Sequence, residues 1–213
     1  VSSLAILLLI AFGLNFRWVH AASVAATSER CPAELVSHAQ HSVADLFGST
    51  KSSPIIRCVS GPSLGLTVDY GSTNFAPALP PVIIVGPQGQ NPDVVAHEWA
   101  HAEIFERLGF MAREFWLPTW VDEGLAMQVD HRDPYNVESL RVLHGRDDLT
   151  RPSVASMKES GFFIAGDQGR YHYAYAKCLV NEGISRHDGW LGRLERTDDE
   201  ALSVLQTVEV HCR

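Results

Sequence analysis

The sequence has no Cys-x-x-Cys pair, no internal repeat, no low-complexity tract and no surplus of positive charge. Each absence removes a class of protein. Without neighbouring thiolates there is no basis for a zinc centre built from cysteines. With 17 Lys and Arg against 25 Asp and Glu, the formal charge of −8 argues against nucleic acid or an anionic membrane surface as the main partner. No fixed period marks a repeat architecture. The longest apolar run, Leu4 to Phe16, falls short of the ~20 residues of a membrane-spanning helix, and no Lys or Arg precedes it.

The 213 residues, 46% hydrophobic and 20% charged, suit one globular domain with at most a small extension. The Leu4–Phe16 run has the length of a signal-peptide core, and Val24-Ala25-Ala26 offers small residues for cleavage. If Arg17 snorkels, the apolar stretch extends to Val24 and becomes long enough to anchor the chain. The expectation is therefore a signal peptide or N-terminal membrane anchor over residues 1–26 and a folded domain over 27–213. An ordinary buried N-terminal helix is the alternative. Four cysteines, Cys31, Cys58, Cys178 and Cys212, allow three connectivities in an exported chain. Nearness in sequence favours Cys31–Cys58 and Cys178–Cys212.

The chemistry concentrates in His97-Glu98-Trp99-Ala100-His101. The segment reads as helix, opened by Asn91 as N-cap with Pro92 at the first position and closed by Gly109. Residues four apart share a helix face, so His97 and His101 can hold one metal ion through their imidazoles. Glu98 stands beside them, placed to take a proton from a water on that metal. Downstream, Trp120-Val121-Asp122-Glu123-Gly124-Leu125-Ala126 supplies a carboxylate, from Asp122 or Glu123, on a second helix expected behind Pro118 with Thr119 as its cap. Two His and one carboxylate, with a fourth position open, form the usual ligand set of a hydrolytic zinc site.

The two motifs together resemble the gluzincin metallopeptidases, and most closely the small peptidase MA-like proteins. The resemblance spans about residues 82–191 and is specific at the two motifs. It implies an α+β, zincin-like fold, with a small N-terminal part containing the strands and a mostly helical C-terminal part. It also implies Zn2+ as cofactor, a peptide or protein substrate, Glu123 as third ligand and Glu98 as general base. Related proteins carry a Tyr inside a later helix that donates to the developing oxyanion. Tyr173 with Ala176 fits that pattern first, Tyr171 with Ala174 second and His172 third. The resemblance further implies a strand just upstream of the zinc helix, here Val82 to Val85, that offers its backbone to substrate.

Elsewhere the sequence predicts a helix from Cys31-Pro32 to Phe47, and short strands at 54–60 and 64–70. It predicts a turn-rich loop over 74–81 and another over 130–148, then a short helix near 152–160. A helix begins at Tyr171 and a short one at Gly189-Trp190-Leu191. His38 and His41 read as exposed or at the core edge; His131 and His144 read as exposed, with use by a loop over the site as the alternative. Glu103, Glu106, Asp122 and Asp130 are candidates to orient the metal-binding imidazoles. Two rival readings use the same residues: a non-catalytic zinc-binding envelope protein, and a membrane-tethered envelope factor whose pentad is accidental. Glu98 argues against the first, since a purely structural site has no need of that carboxylate.

Overall fold

The computed structural model describes residues 17–61, 68–157 and 162–212. It is an α+β protein whose chain divides into two compact units, residues 1–106 and 107–213. Among the described residues all strands fall in the first unit, and the second is helical.

The first unit is built on a four-stranded sheet of order β1-β2-β4-β3, from Glu29–Arg30 (β1), Ile55–Cys58 (β2), Gly71–Ala76 (β3) and Leu79–Val85 (β4). β4 runs parallel to β2 and antiparallel to β3. Val82, Ile83, Ile84 and Val85 are fully buried, as a β-branched strand with neighbours on both sides and both faces covered should be. A helix over residues 17–27 (α1) sets Ala21, Val24 and Ala25 against Val59, Val82 and Ile84. Alternation sends Ile83 and Val85 to the opposite face, which they share with their partners Thr73 and Gly71. That face carries the helix Pro92–Phe115 (α3), with the Phe75 ring stacked on Phe105 at 4.8 Å between centroids. A further helix, Ala33–Phe47 (α2), ends on Gly48 in the left-handed conformation at φ 77°, as the sequence predicts.

Two expectations change here. Residues 17–26 form most of α1, in which Val24 and Ala25 are core residues. The Leu4–Phe16 run itself lies outside the described residues, as does most of the strand expected at 64–70. The loop expected over 74–81 is instead a hairpin: β3 and β4 meet across Pro77-Ala78, with Ala78 at φ 60°. Pro80 and Pro81 hide this strand because they cannot donate to a ladder. They are tolerated because β4 runs past the end of β2 there, and its pairing with β3 is irregular between Asn74 and Ala76. Val82 to Val85, expected to offer a free edge, has both edges paired; β3 is the edge strand.

The second unit packs around Asp167–Arg186 (α6), whose Tyr171, Tyr175 and Leu179 recur every four residues and are buried. Thr119–Ala126 (α4) lies against it. A Cβ on Gly124 would sit 2.7 Å from the Ala176 carbonyl oxygen, so this glycine serves the close approach of α4 to α6. Pro118, not Thr119, occupies the α4 N-cap. The region read as polar loop contains Val137–His144 (α5), opened by Asn136, whose side chain accepts from the Ser139 N–H. Residues 154–157 form a turn where a helix was expected. Trp190–Glu195 (α7) and Asp199–Thr207 (α8) follow, joined by the Trp190 indole N–H donating to the Ala201 carbonyl.

Both disulfides form with the expected partners, Cys31–Cys58 in the first unit and Cys178–Cys212 in the second. Such bonds fit an oxidising, exported location. Among the described residues no helix is long and apolar enough to cross a membrane.

Candidate metal centre

α3 begins as its sequence dictates, with the Asn91 side chain accepting from the Val94 N–H at 3.0 Å. Gly109, at φ 76° and ψ 163°, breaks it, and a short helical stretch continues to Phe115. Before the break, one face of the helix carries His97 and His101, both buried, with their Nε2 atoms 3.3 Å apart and ring planes at 83°. In a tetrahedral zinc site with bonds of about 2.0–2.1 Å, ligand atoms lie ~3.3 Å apart, so the pair has the spacing of two ligands on one ion. Glu123, on α4, is also buried. One ligand atom from each of His97, His101 and Glu123 lies within 4.8 Å of the other two, a buried group that could hold a metal ion. Two imidazole nitrogens and one carboxylate oxygen are a donor set suited to a divalent transition metal.

Asp122, the rival to Glu123, is an ion-pair partner. Arg113 donates from Nη2 to Asp122 at 2.6 Å and from Nη1 to Glu114 at 2.8 Å. Burial works against the Arg113 charge, but Asp122, Glu114 and the field of Glu123 outweigh it and hold the guanidinium above its ordinary pKa. Arg113 thus brings a fixed positive charge into the unit that carries Glu123.

Glu98 is half-buried, and its carboxylate meets the edge strand. The Thr73 hydroxyl lies 2.6 Å from Glu98 Oε2 and 2.8 Å from the Glu98 carbonyl oxygen. Sequence reasoning missed Thr73, because it sits in a hairpin that the prolines disguise.

The candidates for orienting the imidazoles sort themselves by where their carboxylates go. Glu103 is completely buried and accepts from the backbone N–H of Lys51 and of Ser52 and from the Ser52 hydroxyl. That hydroxyl in turn accepts from the Trp99 indole N–H. Asp130 receives the Arg132 guanidinium, and Glu106 is exposed.

Among the oxyanion candidates, Tyr171 bonds to His144, and burial raises its pKa against the opposing pull of Arg151. His144, read as exposed, is thus half-buried between Tyr171 and the Cys212 carbonyl. The His172 ring meets the Phe162 carbonyl and the Gln168 amide. Tyr173 is half-buried, its ring edge-on to Tyr135 and Phe162. His38, His41 and His131 are exposed as expected.

Comparison with protein-family models, curated proteins and solved structures finds no match.

Proposed function

We propose that this protein is a zinc metallopeptidase of gluzincin type with a zincin-like fold, exported and acting in the periplasm, outside the cell or at a membrane. The observation that carries the reading is the buried His97, His101 and Glu123 group, with Glu98 next to its first ligand in sequence. When bound, zinc supplies Lewis acidity towards a water molecule and the scissile carbonyl. His97, His101 and Glu123 hold the ion and leave a position open. Glu98 takes the proton of the attacking water at its carboxylate and later delivers it to the leaving amine. The Tyr173 hydroxyl donates to the carbonyl oxygen as it gains charge. Arg113 keeps the acidic surroundings of Glu123 electrically balanced.

The test is a screen of the full chain, loaded with zinc, against a mixture of peptides whose new ends are read by mass spectrometry. Cleavage is expected, with loss on chelation and recovery on adding zinc. One zinc per chain and no cleavage of any peptide would instead establish the non-catalytic zinc protein.

A further inference from the structure

We propose that Thr73, on the edge strand β3, is a positioning residue that fixes the carboxylate of Glu98, an inference that rests on the metallopeptidase reading. Three observations within the first unit converge on it. The Thr73 hydroxyl reaches both the side chain and the backbone of Glu98, at 2.6 Å to Oε2 and 2.8 Å to the carbonyl oxygen. Two residues earlier on the same strand face, Gly71 leaves the space that the Glu98 side chain fills. A Cβ there would come within 2.6 Å of Glu98 Cγ and 2.7 Å of Oε1. Beside both, on β4, Val85 and Ile83 pair with Gly71 and Thr73 and are fully buried, so the cradle is set in a packed part of the sheet.

A hydroxyl has one proton to give, and an ionised carboxylate is a stronger acceptor than a carbonyl. With Glu98 ionised, Thr73 donates to Oε2. That bond fixes Oε2 on Thr73 and leaves Oε1, which lies over Gly71, as the oxygen that takes the water proton. An unanchored Glu on a helix samples several rotamers, and most of them aim the carboxylate away from the reacting water. Thr73 and Gly71 together select one. The strand places both residues by its period of two, which is why neither belongs to the helical motif that identifies the site.

The test uses the full chain as wild type, Thr73→Val, Thr73→Ser and Glu98→Gln, each loaded with zinc and, separately, with cobalt(II). Thr73→Val keeps the shape and removes the hydroxyl. It should retain one metal per chain, leave KM on a peptide cleaved by the wild type little changed, and lower kcat about tenfold or more. Thr73→Ser should restore kcat. The visible spectrum of the cobalt form should move in Thr73→Val towards that of Glu98→Gln and stay at the wild-type position in Thr73→Ser. Thr73→Ala carries the same expectation should the valine variant fail to fold. Wild-type kcat and a wild-type cobalt spectrum in Thr73→Val would overturn the role of Thr73 while leaving the peptidase reading intact. Bound metal with no peptide cleaved by the wild type would sink the peptidase reading, and the cobalt spectra would then decide the Thr73–Glu98 contact by themselves.

Discussion

Glu98→Gln is expected to bind zinc as the wild type does and to lose peptide hydrolysis by about 10²–10⁴-fold, the usual contribution of a general base. Glutamine has the size and shape of the carboxylate it replaces, so His97, His101 and Glu123 are undisturbed. Its amide oxygen still accepts from Thr73 at the position now held by Oε2. What it cannot do is take a proton at neutral pH. Metal content and turnover should therefore separate in this one variant. Measuring both on the same preparation, by metal analysis and by the rate of peptide cleavage, checks the assignment. Hydrolysis at the wild-type rate would remove Glu98 from the mechanism.

Glu103→Ala is expected to be the most destabilising single change near the site, by about 3 kcal/mol. The Glu103 carboxylate is fully buried and receives the Lys51 and Ser52 backbone N–H groups and the Ser52 hydroxyl, at 2.8 to 3.0 Å. Alanine leaves these donors facing a cavity, and each buried donor without an acceptor costs about 1–3 kcal/mol, less where water enters. Glu103 thereby ties the segment following α2 to α3, beside the Trp99–Ser52 bond, so its loss should loosen both. Urea unfolding followed by circular dichroism gives the magnitude. Ser52→Ala, which removes one donor and the acceptor of the Trp99 indole, should cost about 1 kcal/mol. Equal stabilities for Glu103→Ala and the wild type would show that the carboxylate contributes nothing net to the fold.

Local signals explain what was legible. Asn91-Pro92 and Gly109 bound the motif helix because capping and positive φ are properties of single residues. The buried β-branched run at 82–85 announces a strand for the same reason. The disulfide pairs followed from short separations, 27 and 34 residues. The misses have a different origin. β3 is half polar and followed by a proline-rich turn, so its identity as a strand depends on β4 accepting it, a tertiary fact. The Asn136-x-x-Ser139 cap of α5 was present in the sequence but sat in a stretch whose polarity read as loop. His144 was taken for a surface residue because nothing local says that Tyr171 and the Cys212 carbonyl will meet it. Thr73 is the most instructive case. It has no motif and no periodicity, and it enters the site only because strand pairing places it opposite Ile83, on the face that meets α3.

The most direct measurement is zinc per chain in the full-length wild type and in Glu123→Ala, each purified without chelators and then reconstituted. The account predicts about one zinc in the wild type, as expected for a single two-His, one-carboxylate site, and a greatly weakened or absent ion in the variant. A wild type that takes up no zinc after reconstitution, or a Glu123→Ala protein that holds it as tightly as the wild type, would contradict the ligand set on which the rest depends.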